Sequence, residues 1–530
     1  MPSHLRPTLR SILAKLTSRA KQESGMAIVV TIGMMTVSLL VTLSAFGTVW
    51  SDLPLVRGDS DRKQAYSAAE AGVSYYSYHL DQDNSYWLKC TNVPPPSGSE
   101  PSPVNQAWSG SGNDPRNWRT ITGSNAQYTI ELLPAPGKSS CVQNDESTMI
   151  DPTNNTFRIR ATGRIGGTKR SIVSTYKRKG FLDYLYFTDL ETLDPYAYDD
   201  EDDQEDAAED CIMYHWQGRD DDDCTEIRFI TGDEVAGPFH TNDSILVCGD
   251  PTFGRTSVDK VEVSGTNPGY WDTGSCDADP NFVGTYTYGA QTLPLPTTNS
   301  TLSTIALPAY RYTGNTTIVL NGASMTVTNA NLTPTTTQTV AIPSNGVIYV
   351  SNGSCGTTYK RKQQYNDPTG CANVNVSGTF SKDLTIGSQN DIIIRGDLIA
   401  TSNALLGLIP NNFARVYHPV SGWSDGDSDC NNSTGTMTNV RIDAAILALN
   451  HSFIVDNWYC GADLGTLTVN GAIAQKFRGP VGTGGAGSGS GYIKDYNYVD
   501  DLQFRDPPAF LSPTQSSWTI RRFAEQSPAR

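Results

Sequence analysis

His240 is the first residue of this chain whose type and setting could perform chemistry. It stands in the run Gly-Pro-Phe-His-Thr-Asn-Asp at 237–243. A histidine with an ordinary pKa near ~6.5 can transfer a proton or bind a metal at neutral pH. Asn242 and Asp243 directly follow and could orient the ring. The alternative, which we favour, is a histidine in a turn whose ring satisfies backbone groups.

Three carboxylates, Asp391, Asp397 and Asp443, could act as a general acid and a general base. Enzymes that cleave polysaccharides place two carboxyl groups on either side of the scissile bond. The spacing of these aspartates does not bring them together, and each lies in or beside a predicted strand, where aspartate commonly caps a turn. We therefore predict no catalytic residue and no enzyme, with a polysaccharide-active enzyme as the alternative.

Asp425, Asp427 and Asp429 have the alternate spacing of the first ligands in a calcium-binding loop. The glycine and the final glutamate of an EF-hand loop are missing, because Cys430 and Thr436 stand in their places. We therefore expect no cofactor and no metal, with calcium at these aspartates as the alternative.

Acidic residues are concentrated at 189–226, where 17 acids face the lone Arg219, so 1 − 17 = −16 equals the net charge of the chain. Within it, the run 220–223 lies between Cys211 and Cys224, and we expect a solvated loop of mutually repelling charges rather than a cation site. The sequence after residue 50 has no basic patch to neutralise phosphates, so nucleic acid is not an expected partner.

The ten cysteines are even in number and all follow the first 50 residues. No spacing indicates a zinc site, and an oxidising compartment would let them pair. Consecutive cysteines enclose modest loops, so we predict five sequential disulfides, with free buried thiols as the alternative. The predicted pairs are Cys90 with Cys141, Cys211 with Cys224, Cys248 with Cys276, Cys355 with Cys371, and Cys430 with Cys460.

The elements that would position these residues begin with an uncharged run at 26–50. As a helix it would reach roughly 37 Å, enough to cross a hydrocarbon core of about 30 Å. Residues 1–25 carry five basic residues and one acid, and such a leader stays in the cytoplasm. We therefore predict a single-pass membrane protein whose C-terminal domain lies outside the cell.

Pro54 and Gly58 should bend or interrupt the helix before a second helical stretch at 61–80. Small and aromatic residues recur there at helical spacing, which indicates a stripe that packs closely on a sheet or on another helix. The stripe comprises Ala65, Ala69, Gly72, Tyr76 and Leu80. Strand patterns follow at 126–133, 156–162 and 169–177, and the last two should form an antiparallel hairpin.

Farther along the chain, apolar pairs recur at strand spacing and about every eight residues. They are Val374 with Val376, Leu384 with Ile386, and Ile392 with Ile394. This favours a coil of parallel strands, and we predict a right-handed β-helix, or solenoid, at 235–478, with a jelly roll or stacked sandwich as the alternative.

The predicted fold class is mainly β, with an N-terminal helix, a small antiparallel sheet and then the β-helix. The predicted segments are a leader at 1–25, a transmembrane helix at 26–50, a helix plus antiparallel sheet at 51–180, an acidic disulfide loop region at 181–234, the β-helix at 235–478, and a Gly-rich loop and C-terminal strap at 479–530.

The leader that ends in Gly25, the apolar run after it and the AYSAAEAG run at 65–72 together resemble the N-terminus of minor pilins and pseudopilins. This is the superfamily of type IV pilus and type II secretion proteins. The resemblance covers about 15–80, and 126–177 more loosely. It implies that a prepilin peptidase cuts between Gly25 and Met26. It also implies that other pilin-like subunits bind through the N-terminal helix.

The chain departs from that family at Val30, because most fibre-forming pilins carry glutamate at the fifth mature position. The substitution argues against a major fibre subunit. Segments 232–254, 476–482 and 494–502 resemble a poorly characterised group of β-helical bacterial envelope proteins with pilin-like anchors. We expect a surface protein for assembly or adhesion, with a surface glycan or protein as ligand. The alternative is a static envelope protein whose N-terminus is not cleaved.

Overall fold

In the computed structural model, the first described element of the chain is one long helix. The described residues are 26–90, 118–151, 156–198, 201–219, 224–332, 336–355, 370–422, 430–483, 489–514 and 518–530, without the side chains of 26–27, 45–56 and 201. The first helix is α1 (Met26–Gln82). Its backbone continues through Pro54 and Gly58, so the predicted interruption is wrong. A proline removes one backbone hydrogen bond, and the helical turns on both sides persist.

The predicted membrane span is not found. Among the helices that the structure describes, none is both long and apolar enough to cross a membrane. The prediction of a single-pass membrane protein with a cytoplasmic N-terminus is therefore wrong.

The second half of α1 packs on a five-stranded antiparallel sheet, and we call this assembly the helix–sheet unit. The strand order is β1-β2-β3-β4-β32. The predicted hairpin is confirmed, since β3 and β4 pair in antiparallel register up to Ile165 and Thr168. The strands are β1 (Arg119–Thr120), β2 (Gln127–Leu133), β3 (Thr156–Ile165), β4 (Thr168–Arg178) and β32 (Trp518–Gln526).

The fifth strand, β32, comes from the C-terminus and pairs antiparallel with β4. The sequence indicated only a strap in this part of the chain. The pairing brings the end of the chain back to the sheet that begins near residue 119, so the helix–sheet unit contains both early and late segments.

The remaining strands form what we call the parallel-strand region, and the prediction of a mainly β protein is confirmed. Two short helices also lie here, α2 (Glu201–Asp210) and α3 (Thr301–Ile305). The strands are β5 (Tyr186–Leu193), β6 (Phe229–Ile230), β7 (Glu234–Val235), β8 (Phe239–Thr241), β9 (Ile245–Cys248), β10 (Thr252–Phe253), β11 (Lys260–Val263), β12 (Tyr270–Trp271), β13 (Asn281–Phe282), β14 (Thr285–Tyr288), β15 (Arg311–Thr313), β16 (Thr316–Gly322), β17 (Ser324–Asn329), β18 (Thr337–Ala341), β19 (Val347–Ser351), β20 (Val374–Phe380), β21 (Leu384–Ser388), β22 (Ile392–Ala400), β23 (Leu406–Pro410), β24 (Ala414–Val416), β25 (Val420–Ser421), β26 (Asn431–Asn432), β27 (Arg441–Ala448), β28 (Phe453–Val455), β29 (Asp463–Arg478), β30 (Gly482–Thr483) and β31 (Ser490–Tyr498).

Most pairs in this region are parallel and join strands that are not consecutive in the chain. Thus β20 pairs with β22, β21 with β23, and β29 with β27, β31 and β5. The register places Val374 opposite Ile392 and Val376 opposite Ile394, and all four side chains are buried. Like residues therefore stack from strand to strand, and this aliphatic stack forms the core.

The five predicted disulfides are confirmed. Each consecutive pair of cysteines is bonded, with Cα–Cα distances between 4.4 Å for Cys355–Cys371 and 5.7 Å for Cys90–Cys141. The first disulfide lies in the helix–sheet unit and the other four lie in the parallel-strand region.

Candidate functional site

The first half of α1 presents apolar side chains to solvent over 28–44, and we call this stretch the uncovered half. Its large apolar side chains are all at least half exposed, from 52% at Val30 to 72% at Met35. Its polar residues do not create a hydrophilic face. The hydroxyl groups of Thr36 and Thr42 donate to the carbonyls of Ile32 and Ser38 in their own helix, at 2.9 and 2.7 Å. An apolar surface of this kind marks a site of interaction.

The second half of α1 is covered because its stripe lies directly on the sheet, as predicted. Ala65 and Ala69 are fully buried, and they face Gly163 of β3. A Cβ atom added at Gly163 would lie 2.0 Å from the carbonyl oxygen of Ala65 and 2.5 Å from the backbone nitrogen of Ala69. Only hydrogen at this position permits the helix to approach so closely.

An aromatic cluster fixes the end of the helix. The fully buried ring of Tyr76 lies 6.2 Å from the ring of Phe157 and 6.1 Å from that of Tyr176. Phe157 packs edge to face on Trp518 of β32 at 4.7 Å, and the Trp518 indole donates to the carbonyl of Asn84 at 2.8 Å. The C-terminal strand therefore helps to hold the helix that carries the uncovered half.

His240 lies in strand β8 and not in a turn, so that interpretation is corrected. Its ring is fully buried and stacks on Phe187 at 5.5 Å. Nδ1 lies 3.3 Å from Glu262 Oε2, and Nε2 lies 3.1 Å from Asn242 Oδ1. Because the strand and not a turn carries the residue, side chains rather than backbone groups satisfy both ring nitrogens.

The polar and charged side chains around His240 are joined by hydrogen bonds into one buried network. Burial lowers the pKa of His240, and the hydrogen bond to Glu262 opposes this shift. Burial opposes ionisation of Glu262, but hydrogen bonds from His240, Lys179 and Tyr184 outweigh it and lower the pKa of this carboxyl. The Lys179 ammonium lies 2.6 Å from Glu262 Oε2. A buried network of this kind fixes strands in place.

A second buried network surrounds Arg219, the lone base of the acidic tract. Its guanidinium donates to Asp243 at 2.6 Å and to Glu226 at 2.7 Å. Desolvation opposes its charge, yet these two carboxylates raise its pKa. The composition of the tract did not identify this role. The sequence signal for this role is that Arg219 stands alone among 17 acids, because a buried cation needs carboxylate partners. The run 220–223 lies outside the described residues.

The structure places Asp391 apart from the other two candidate carboxylates, Asp397 and Asp443, which lie beside the same arginine. Asp391 is buried, and its Oδ2 lies 3.2 Å from Arg415, which also pairs with Asp456. Burial raises the pKa of Asp391 to about 6. The other two flank one arginine, since Asp397 accepts from the backbone nitrogen of Arg441 and Asp443 accepts from its guanidinium, both at 2.9 Å.

Asp443 lies in a surface groove of about 760 Å³. The floor comprises outward side chains of β27, β29 and β31. One row across the three strands is Asp443, Asn470 and Asn497, and the adjacent row is Arg441, Thr468 and Asp495. The amide of Asn470 donates to Asp443 Oδ1 at 2.7 Å, and the hydroxyl of Thr468 donates to Asp495 Oδ2 at 2.9 Å.

The sequence interpretation missed these rows although a signal exists. Each hydrogen-bonded pair across neighbouring strands is 27 residues apart, Asp443 with Asn470 and Thr468 with Asp495. Burial opposes ionisation of Asp443, but hydrogen bonds from Arg441 and Asn470 outweigh it and lower its pKa. The carboxylate is therefore ionised and held by fixed donors, so it is suited to positioning its neighbours.

Several predicted residues lie outside the described part of the chain. These are the leader with Gly25 and the three aspartates of the calcium pattern, Asp425, Asp427 and Asp429. Met26 is the first residue of α1. Among the residues that the structure describes, no group of three or more histidine, cysteine, aspartate or glutamate side chains is placed to hold a metal ion.

Comparison with known proteins gives a likeness among solved structures. No family model matches the chain, and no curated protein matches it. Among solved structures, the crystal structure of the competence-associated pilin ComZ from Thermus thermophilus is similar, with 13% sequence identity and a TM-score of 0.27. The match covers 89% of this chain and 98% of that chain. At this TM-score, function has to be argued from the residues of the chain itself.

Proposed function

We propose that this chain is a minor pilin-like subunit, which joins a pilus-related assembly through the uncovered half of α1 and displays the parallel-strand region. The observation that carries the proposal is the contrast within one helix. Residues 28–44 are apolar and exposed, whereas the stripe that follows lies flush on an antiparallel sheet. Helices of neighbouring pilin-like subunits would cover the exposed part.

The composition of the uncovered half suits helix packing. Gly33 has open space around it, and the hydroxyls of Thr31 and Thr36 are bonded within the helix. Small residues and internally bonded hydroxyls let helices approach closely. Val30 stands where a charged residue would pair with a neighbour, so apolar packing would drive the association. This favours a minor subunit.

The proposal includes processing at the N-terminus. A prepilin peptidase would cut between Gly25 and Met26, so that the mature chain would begin at the first residue of α1. The resemblance of the leader and of the 65–72 run supports this step. Removal of the basic leader would leave a helix whose first part, 26–50, has no charged side chain to oppose burial between subunits.

For the displayed part we infer a right-handed β-helix. Parallel pairing between non-consecutive strands supports this inference, and so does the spacing of 27 residues between neighbouring positions in β27, β29 and β31. Crossover connections between parallel strands are right-handed in nearly every protein. Such a scaffold is rigid and would carry a binding face away from the helix.

The proposal is tested by photo-crosslinking in the native host. A photoreactive amino acid replaces Leu39 in the uncovered half. In a matched control it replaces Tyr78, which is 60% exposed on the second half of α1. We expect Leu39 to crosslink to other pilin-like subunits and Tyr78 to do so much less. Equal crosslinking at both positions, or none at Leu39, would contradict the proposal.

Processing is tested separately by mass spectrometry of the N-terminus. The wild-type chain is expected to begin at methylated Met26, and a Gly25→Val variant is expected to keep the leader. A wild-type chain that begins at Met1 would instead support a static envelope protein without assembly.

A further inference from the structure

The groove beside Asp443 combines two kinds of surface. Its floor carries amide, hydroxyl and carboxylate groups on the outward face of β27, β29 and β31. Its wall includes the apolar side chains of Leu405, Leu406, Val499 and Leu502. The volume of about 760 Å³ lies within the range of small-molecule binding sites. A ligand for this groove must therefore have polar edges and an apolar face.

The polar groups of the floor are held in place before any ligand binds. Asp443 accepts hydrogen bonds from Arg441, from Asn470 and from the backbone nitrogen of Ala400. An amide side chain has two donor hydrogens and one acceptor oxygen. The bond from Asn470 to Asp443 uses one of these hydrogens, as does the bond from Asn497 to Asp495 at 3.1 Å. The floor therefore offers fixed donors and acceptors side by side.

The charge of the groove argues against an anionic ligand. The charged lining residues are Arg441, Asp443 and Asp501, so the lining carries one positive and two negative charges. The cation is already paired with Asp443. A phosphate or carboxylate ligand would meet a net negative surface, so a neutral ligand fits best.

The backbone of the floor argues against an extended peptide. Peptides that add to a sheet pair with the free edge of a strand. Here β29 lies between β27 and β31, with parallel pairing on both sides. The groove therefore presents the face of a sheet and its side chains, and not an open edge.

We propose that this groove binds a neutral oligosaccharide. Sugar hydroxyls donate and accept at once, as the floor requires, and the C–H face of a sugar ring suits the partly exposed apolar side chains of Ala404 and Val499 in the wall. The proposal names the ligand class of the displayed region, and it depends on the proposed function only for its biological setting.

The test is isothermal titration calorimetry of the full chain, kept in solution with a mild detergent. The probes are cellotriose, maltotriose and the trimer of N-acetylglucosamine, with trigalacturonate as an anionic trimer. We expect at least one neutral trimer to bind and trigalacturonate to bind at least tenfold more weakly. The proposal is overturned if no neutral trimer binds or if trigalacturonate binds more tightly than the neutral trimers.

Variants locate the binding. Asn497→Ala removes an exposed amide from the floor, and Asn321→Ala removes an exposed amide from strand β16 outside the groove. We expect the first to weaken binding at least fivefold and the second by less than twofold. Equal effects would place binding elsewhere and overturn the proposal.

A further variant keeps the test valid if Asn497→Ala does not fold. Asn403 lies exposed in the loop that lines the groove, so Asn403→Ala changes no strand, and we expect at least a threefold loss. An unchanged affinity would contradict the assignment. The assay measures binding by the isolated chain, so its failure would leave the crosslinking result at Leu39 unaffected.

Discussion

The helix–sheet unit and the parallel-strand region bury apolar surface in different ways. In the parallel-strand region, stacked pairs such as Val374 with Ile392 close the core within the region. In the helix–sheet unit, α1 covers the sheet with its second half and leaves 28–44 exposed. The first arrangement closes its own core, whereas the second leaves an apolar surface that, in our proposal, a neighbouring subunit covers. We therefore place assembly on the helix and ligand binding on the strands.

Both regions bury charged side chains, but the apolar cores around them differ. The parallel-strand region buries ion pairs such as Arg415 with Asp456, at 2.8 Å, and Arg219 with Asp243, at 2.6 Å. A buried charge is tolerated when its partner is fixed beside it. The helix–sheet unit also buries an ion pair, Lys177 with Asp506, but its core is rich in alanine, glycine and aromatic rings rather than an aliphatic stack. Variants that disrupt the packing of each region measure its contribution to the free energy of unfolding.

Gly163→Val should give the largest effect. A Cβ atom there would lie 2.0 Å from the carbonyl oxygen of Ala65, so the helix would have to leave the sheet. We expect the unfolding free energy of the helix–sheet unit to fall by more than about 3 kcal/mol, as measured by urea denaturation. The control is Gly167→Val, where nothing lies within 4 Å of an added Cβ. Equal stability of the two variants would show that the close approach is absent.

Tyr76→Ala and Leu39→Ala compare the two halves of α1 directly. Tyr76 is fully buried, and Leu39 is 61% exposed. We expect the first to cost about 3 kcal/mol of unfolding free energy and the second less than about 0.5 kcal/mol, by urea denaturation of the isolated chain. A large cost for Leu39→Ala would mean that the chain itself covers this half.

Local patterns predicted much of the helix–sheet unit. The stripe from Ala65 to Leu80 follows from helical spacing, and the hairpin of β3 and β4 follows from two strand patterns around a glycine-rich turn. The five disulfides could be predicted because neighbouring cysteines are close in the chain. Each of these features depends on residues that are close in the chain, at most 51 positions apart.

The features that could not be predicted from the sequence depend on which strands pair and in which register. β32 joins β4 across more than 300 residues, as in the bond from Thr519 to the carbonyl of Lys177, and no local pattern specifies this pairing. The same holds for His240, whose partner Glu262 belongs to another strand. In the groove, the row of Asp443 and Asn470 arises only when β27 and β29 pair in one particular register.

The disulfides of the two regions should differ modestly in their contribution to the free energy of unfolding. Cys90–Cys141 closes a loop of 51 residues in the helix–sheet unit, and Cys211–Cys224 closes one of 13 residues. Restriction of the unfolded chain grows with loop length, so loss of the first disulfide should cost about 1 kcal/mol more. Double alanine variants and urea denaturation measure this difference. The reverse order would show that native packing around the disulfides dominates.

The last effect depends on pH and concerns the network of His240. Burial lowers the pKa of His240 in the folded chain, so its contribution to stability is present above the unfolded pKa of ~6.5 and is lost as pH falls below it. The pKa of Asp391 is raised to about 6 by burial, which acts in the opposite direction over the same range. The difference between wild type and His240→Gln reports the contribution of the histidine. We expect the wild type to lose up to ~1.4 kcal/mol per pH unit more than the variant below about pH 6.5, and parallel pH profiles in urea denaturation would contradict a lowered pKa of His240.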